Sequence, residues 1–110
     1  MPTVFKNVLE SGLGLAPTTA LTTTAGVKTT VVGMSLTNTT SSIVLASVQI
    51  EDTVNATSAY YILNTVIPPN QSLRAINGGE RLVLGEQTNI IVTTNTDSSV
   101  DLVLSYVEIS

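Results

Sequence analysis

Residues 29–38, TTVVGMSLTN, and residues 43–52, IVLASVQIED, decide the fold of this chain. Apolar and polar side chains alternate along both runs, which is the period of a β-strand with one buried face. Residues 38–42, NTTSS, lie between them and have the short polar side chains typical of a turn. The two runs are therefore predicted to form a hairpin. In the first run, one face of a half-buried strand is predicted to carry Thr30, Val32, Met34 and Leu36. In the second run, the predicted inward set is Val44, Ala46, Val48 and Ile50.

Further strand-like runs follow along the chain. Residues 59–66, AYYILNTV, are ended by Pro68 and Pro69, which cannot donate to a ladder. Residues 72–76 and 80–84 flank Asn77-Gly78-Gly79, a strong signal for a hairpin turn. Residues 88–94 and 100–109 complete the series, and no long segment has helical periodicity. The pattern predicts an all-β fold, a single antiparallel β-sandwich of about eight strands with either jelly-roll or immunoglobulin-like wiring.

The last run, VDLVLSYVEI at residues 100–109, is apolar on both faces. Such a pattern is typical of a central strand. Leu102, Leu104 and Tyr106 are predicted to face the core. The other face then carries Val103, Val107 and Ile109, which require a cover from the N-terminal segment or from another subunit.

Residues 1–26 differ in character from the sandwich domain predicted for residues 27–110. VFKNVL has strand character, SGLGLAP is interrupted by glycine and proline, and TTALTTTAG is low in complexity. This segment is interpreted as an extended N-terminal arm. Two alternatives stay open for it: an edge strand of the same domain, or an extension that adds a strand to a neighbouring subunit.

Composition excludes several classes of function for this chain of 110 residues. It has no cysteine and no histidine, which removes thiolate and imidazole sites for metals and nucleophiles and argues against an enzyme or a bound cofactor. The four cations are scattered singly along a chain of net charge −4, so nucleic acid is not an expected partner. No apolar run has the length of a signal peptide or a membrane span, and folding in a reducing cytoplasm is expected.

The carboxylates and asparagines offer little site chemistry. Glu51 and Asp52 are adjacent and so point to opposite faces of a strand. Asp52 and Asp97 lie in predicted loops without the spacing of a calcium loop, and both are interpreted as solvated turn carboxylates. Asn-x-Ser/Thr triplets begin at Asn38, Asn55 and Asn70, and these are interpreted as turn asparagines rather than glycan acceptors.

Only 11% of the residues are charged, which is low for a small free-standing domain. The composition therefore favours a chain that covers part of its surface in an assembly. The alternative is a threonine-rich β surface that stays soluble through its hydroxyls and its net negative charge. Of the adjacent Tyr60 and Tyr61, one ring must face outward, and the alternatives for it are an interface anchor, a sugar platform or an ordinary half-buried surface tyrosine. The candidate interface residues are Val4, Phe5, Val8, Leu9, Tyr61, Val103, Val107 and Ile109.

Three stretches of residues 27–109 carry a resemblance to a known class of protein: IPPNQSL, RLVLGEQTNIIV and VDLVLSYVEI. They resemble the small β-sandwich structural proteins of tailed bacteriophages, called cement, decoration or minor virion proteins. Those proteins tend to show an L-x-L-G-[DE] turn and a C-terminal S-Y-x-E-I pattern. The matching residues here are Leu82, Leu84, Gly85, Glu86, Ser105, Tyr106, Glu108 and Ile109.

The resemblance implies a non-enzymatic virion protein, commonly a homotrimer, with terminal arms that tie neighbours together. The expected function is a capsid cement or decoration protein that bridges subunits of the major capsid protein, located in the virion after folding in the host cytoplasm. A tail, neck or fibre protein of the same virion is the first alternative. A carbohydrate-binding module is an alternative of another class; neither a nucleic acid, a membrane nor a cofactor is an expected partner.

Overall fold

The computed structural model describes residues 3–76 and 81–109, and its secondary structure is all β. This confirms the predicted antiparallel β-sandwich, for which the abundant threonine, valine and isoleucine provide strand-forming side chains. The described strands are β1 Thr3–Leu13, β2 Thr18–Thr22, β3 Lys28–Asn38, β4 Val44–Asp52, β5 Thr57–Ile67, β6 Ser72–Ile76, β7 Leu82–Leu84, β8 Thr88–Thr94 and β9 Val100–Ile109.

The strands form two sheets with jelly-roll wiring. The first sheet has the order β1-β9-β3-β6, with β7 also paired to β3, and the second has the order β2-β8-β4-β5. The pairs are nested: β4 pairs with β5, β3 with β6 and β7, β2 with β8, and β1 with β9. The chain folds back on itself after β4, and the long hairpin so formed is rolled up. As a result, β3 also pairs with β9, and β4 also pairs with β8.

The core lies between the two inner faces. Alternate residues of the central strands meet there, and the side chains of Leu36, Val48, Ile90 and Leu104 are completely buried. Residues from both sheets contribute, as expected for a sandwich whose inner faces interdigitate. In β4, Val44, Ala46 and Val48 face inward as predicted, and Ile50 is partly buried against the core.

In β3 the predicted alternation is correct in the second half and wrong in the first. Met34 and Leu36 face the core, but Val31 is buried and Val32 is not. The register against β9 shifts between Val31 and Gly33. A bulge at this place adds one residue, which reverses the faces of the residues that precede it.

Both predicted hairpins are wrong as strand pairings. β3 and β4 belong to different sheets, so residues 39–43 cross between the sheets instead of turning within one. β6 and β7 both pair with β3, β6 along Met34–Thr37 and β7 along Thr29–Val31, so they follow each other along one edge. The turn predicted at Asn77-Gly78-Gly79 lies outside the described residues.

The N-terminal segment supplies an outer strand to each sheet. β1 pairs with β9 in the first sheet and β2 pairs with β8 in the second, so an extended arm is not what the structure shows. Of the two alternatives, edge strands of the same domain describe residues 3–22. The sequence pattern did not predict β2, because this strand lies within a threonine-rich stretch. The division of the chain at residue 27 stays a prediction.

β9 lies between β1 and β3, which confirms that the last strand is central. Leu102, Leu104 and Tyr106 are buried, as predicted. Because β1 extends the sheet sideways, it pairs with the edge of β9 and leaves the outer face of β9 uncovered by described residues.

Candidate assembly surface

The outer face of the first sheet is built from rows of side chains that cross the strands. One row runs from Leu9 through Val103 and Ser35 to Arg74. A second row runs from Phe5 through Val107 and Thr30 to Val83. Because residues directly opposite each other in antiparallel strands share a face, each row lies on one side of the sheet.

These rows expose large apolar side chains to solvent. Phe5 is 79% exposed, Val83 73%, Leu9 68% and Val103 47%. Isolated exposed apolar residues are ordinary, but these lie close together on one sheet face. The outer face of the first sheet is therefore a surface suited to contact with another protein.

Open depressions separate the apolar rows. Between them lies a row of smaller side chains, Asn7, Ser105 and Gly33. One depression, of about 360 Å³, is lined in part by Phe5, Asn7 and Ser105. A second, of about 230 Å³, is lined by Gly33, Ser105 and others. A binding partner would therefore contact a surface of alternating ridges and depressions rather than a flat one.

Charges at this face are few. Lys28 pairs in register with Ile109, and Arg74 with Ser35, which places both cations on the outer side. The carboxylate of Asp101 also belongs to this side, but its Oδ1 accepts a hydrogen bond from the Gly12 backbone N–H at 3.1 Å. Cations thus border an apolar surface on a chain whose net charge is negative.

On the inner side of β1 and β9, Lys6 and Glu108 form an ion pair. Lys6 Nζ lies 2.8 Å from Glu108 Oε1, at an end of the sandwich where the lysine side chain is still about half exposed. The hydrogen bond and the charge of Glu108 raise the pKa of Lys6 above its ordinary value. An exposed pair of this kind adds little stability but fixes the charge pattern along β1.

The outer face of the second sheet has a different character at its polar end. Thr22 Oγ1 donates to Asn89 Oδ1 at 2.7 Å, and Asn89 Nδ2 donates to Glu51 Oε1 at 2.9 Å. These side chains span β2, β8 and β4, so their hydrogen-bonding groups are used within the chain. This part of the surface is less suited to an apolar contact.

The predicted interface residues divide into three groups. Phe5, Leu9, Val103, Val107 and Ile109 lie on the outer face of the first sheet. Val4 and Val8 lie on the inner side of β1, and Val8 packs against the core. Tyr61 is half-buried against the core, with its hydroxyl donating to the Ala75 carbonyl at 3.4 Å. Tyr60 is the outward ring of the tyrosine pair, 56% exposed.

The loop carboxylates act in local turns. Asp52 accepts hydrogen bonds from the side chain and backbone of Asn55 and from the Val54 N–H, which together lower the pKa of Asp52. Asp52 pairs with Thr88 at the start of β8, whereas Asp97 follows the end of that strand. The two carboxylates are therefore at opposite ends of β8, and no cluster of three metal-binding side chains occurs within residues 3–76 and 81–109.

Asn38 is a structural residue whose importance the sequence did not indicate. Its side chain is fully buried, and Nδ2 donates to the carbonyls of Ser42, Ile67 and Pro68 at 2.7, 3.0 and 3.2 Å. The amide therefore ties the crossing after β3 to the end of β5, which leaves no room for a glycan. Asn38 is the last residue of β3 and pairs with Val100, and its Oδ1 accepts a hydrogen bond from the Thr40 N–H at the start of the crossing. The burial of Asn38 could not be predicted from the neighbouring sequence.

Comparisons with known proteins identify no family. No protein-family model and no curated protein matches the chain. Among solved structures, it is similar to VP2 in the subviral particle of infectious bursal disease virus, with a TM-score of 0.38 and 8% sequence identity. The match covers 96% of this chain and 36% of the VP2 chain, so this chain spans about a third of that protein. In the described part of the chain no helix is long and apolar enough to cross a membrane.

Proposed function

We propose that this chain is a non-enzymatic structural protein of a bacteriophage virion, and specifically a cement or decoration protein that bridges subunits of the capsid shell. The observation that carries the proposal is the exposed apolar outer face of the first sheet. Jelly-roll sandwiches occur in viral capsids, lectins and cupins, so the fold alone is an analogy. The uncovered face favours an assembly role among these.

The outer face would work by burying apolar surface against the shell. Phe5, Leu9, Val83 and Val103 would leave water together. Each buried square ångström of apolar area contributes roughly 25 cal/mol, much of which is offset by the entropy cost of association. Attachment of many copies, or of trimers as the resemblance implies, would add avidity across the lattice. Lys28 and Arg74 at this face favour an acidic border on the shell protein.

Co-sedimentation with capsids tests this proposal. Expanded capsids that lack the protein are mixed with it and pelleted, and the bound fraction is measured. The wild-type chain is expected to pellet with the capsids. V103D, which places a charge in the middle of the outer face, is expected to stay in the supernatant. The matched control T93D, on the outer side of the second sheet, should bind as the wild type does. Capsids that take up no wild-type protein would contradict the proposal.

A position in the tail, neck or fibre is the alternative within the same particle. Immunogold labelling of intact particles separates the two: label over the head supports the cement role, and label confined to the tail supports the alternative. The same outer face would then bind a tail or neck protein instead of the shell.

Tyr60 favours a second function, carbohydrate binding. Its exposed ring lies opposite Gln49 on the outer side of the second sheet, where a ring and an amide could contact a sugar. A glycan array compares the wild type with Y60A. Binding that is lost in Y60A would support this function, and an array without hits at millimolar sensitivity would remove it.

A further inference from the structure

β1 offers a regular strand edge that no described strand occupies. It is the outermost strand of the first sheet, and its register with β9 is continuous from Thr3 to Glu10. Alternate backbone N–H and C=O groups along such a strand point away from the sheet. A regular edge of this length is a template for another strand.

We propose that two copies of the chain pair antiparallel through the free edges of β1, about a two-fold axis beside Asn7, and so join their first sheets into one. This inference goes beyond the proposed function and does not depend on it. A two-fold contact of this kind would link copies whatever other symmetry the assembly has, including the trimer that the resemblance implies.

The charge pattern of β1 selects a second copy as the occupant. The inner side of the strand carries a cation at Lys6 and an anion at Glu10. A strand with both signs is complementary to itself when it runs antiparallel. Pairing about Asn7 places Lys6 of one copy diagonally across from Glu10 of the other, within reach of long side chains. Lys6 keeps its contact with Glu108, because an ammonium group has three donors.

The charges and the length of the regular part of β1 together select the register. With a two-fold axis perpendicular to the sheet, odd residues face odd residues and even residues face even ones. Centring the axis on Lys6 would place two lysines opposite each other, which is destabilising. Centring it on Val8 would place Lys6 directly opposite Glu10 of the other copy, but it would confine the regular pairing to Lys6–Glu10, because the register of β1 shifts between Glu10 and Leu13. Centring it on Asn7 uses the regular stretch from Val4 to Glu10 without facing like charges.

The outer side of the pairing is apolar. About Asn7, Phe5 of each copy lies directly opposite Leu9 of the other, and symmetry makes this contact twice. These are among the most exposed apolar side chains of the described chain. Cross-strand pairs of aromatic and aliphatic residues stabilise antiparallel strands. In this pairing the Phe5 ring of each copy is removed from water. The contact would also extend the candidate assembly surface across two copies.

Disulfide trapping tests the contact, because the chain has no cysteine of its own. In N7C the two introduced thiols lie across the two-fold axis, at a Cα separation of about 4.5–5.5 Å that a disulfide can bridge. Mild oxidation is expected to convert N7C into a linked dimer on a non-reducing gel. S58C, on the exposed part of β5, is the matched control and should stay monomeric. N7C that stays monomeric, or S58C that links equally well, would overturn the proposal.

A second set of variants tests the register. F5C alone should not link, since the two Phe5 positions are about 13 Å apart in this pairing. The double variant F5C/L9C should link, because each new cysteine then faces one of the other kind. Linking of F5C alone to the same extent as the double variant would overturn the register about Asn7. Circular dichroism of each reduced variant, compared with the wild type, verifies that these exposed substitutions leave the fold intact.

Discussion

β1 and β5 are edge strands of equal length, 11 residues each, and they lie on opposite sheets. β1 keeps an unbroken register with β9 up to Glu10, whereas β5 shifts register twice against β4 between Ala46 and Gln49. Asn64, within β5, has a positive φ of 47°. The difference teaches that strand length alone does not decide whether an edge is open, and that backbone regularity contributes.

The difference between the two edges has an identifiable chemical cause. In β5, the Asn64 N–H donates to Ser47 Oγ at 2.9 Å, which fixes the irregular segment against β4. In β1, the inward-pointing charge of Lys6 would normally discourage another strand, but Lys6 is paired with Glu108 in the chain and would also lie diagonally across from Glu10 of the other copy in the proposed contact. The bulge in β5 therefore makes its free edge unsuited to pairing with another strand, whereas the free edge of β1 remains available for such pairing.

Removal of the N-terminal segment has the largest expected effect on this comparison. A chain that begins at Val27 lacks an outer strand of each sheet and the buried side chains of Leu13, Ala20 and Leu21. Each lost leucine costs about 2–5 kcal/mol, against a total stability of about 5–15 kcal/mol for a typical domain. We expect no cooperative unfolding transition in urea for this chain.

A chain that begins at Ser11 is the control for that truncation. It keeps β2 and the core residue Leu13, so it should still unfold cooperatively while losing the proposed contact at β1. Cooperative unfolding of the chain that begins at Val27 would show that residues 1–26 are an independent arm, and the edge-strand interpretation would then be wrong.

N38A tests what holds the end of β5. The substitution removes the donor to the carbonyls of Ile67 and Pro68 inside the protein. Since buried carbonyls are then left without this partner, the free energy of unfolding should fall by about 2–3 kcal/mol. Urea unfolding measures the change. S41A, at an exposed residue of the same crossing, should change it by less than about 0.5 kcal/mol, and equal effects would contradict the role given to Asn38.

S47A would remove the hydrogen bond that fixes the irregular segment of β5 against β4. Loss of the acceptor for the Asn64 N–H should lower the free energy of unfolding by about 0.5–1 kcal/mol and speed amide exchange at Asn64. Exchange along β1 should not change. S105A, on the outer face of the first sheet, is the control. Unchanged exchange at Asn64 would mean that Ser47 does not fix the irregular segment.

A change of pH should weaken one charged contact near each of these edges, that of Asp52 as the pH falls and that of Lys6 as the pH rises. These effects on stability should be the smallest of those predicted. The pKa of Asp52, in the turn before β5, is lowered, so its contribution is present above its ordinary pKa of 3.8 and is lost as pH falls through the lowered value. The pKa of Lys6 on β1 is raised, so its contribution is present below 10.5 and is lost as pH rises through the raised value.

Thermal unfolding of D52N and K6Q between pH 2 and pH 12 measures these two contributions. Relative to the wild type, D52N should lose stability at neutral pH and approach the wild type in acid, while K6Q should approach it only in strong alkali. Differences that do not vary with pH would contradict the assignment of these groups.

The sequence predicted those parts of the fold in which alternation is unbroken. The inward set of β4 and the central position of β9 are correct, because neither strand is interrupted along its predicted core positions. The alternation predicted for β3 is half wrong, since one extra residue before Gly33 reverses the faces. The sheet crossing after Asn38 depends on contacts with Ile67 and Pro68, which are distant in sequence.

The candidate surface was predicted in part for the same reason. The outward positions of Phe5, Leu9 and Val103 follow the simple alternation of β1 and β9. The orientation of the tyrosine pair could not be predicted, because β5 shifts register near it and leaves Tyr60 rather than Tyr61 exposed. Whether these residues form an interface stays a prediction.

The mass of the purified protein in solution tests most directly whether this chain is an assembly subunit. Light scattering on a sizing column, repeated over a wide range of concentrations, would compare the wild type with V103D and with the chain that begins at Ser11. Association through the free edge of β1 predicts a wild-type mass above the monomer value of 11.5 kDa, less association in the chain that begins at Ser11, and unchanged association in V103D, whose substitution lies on β9 and not on that edge. A wild-type mass of one monomer at every concentration would contradict self-assembly.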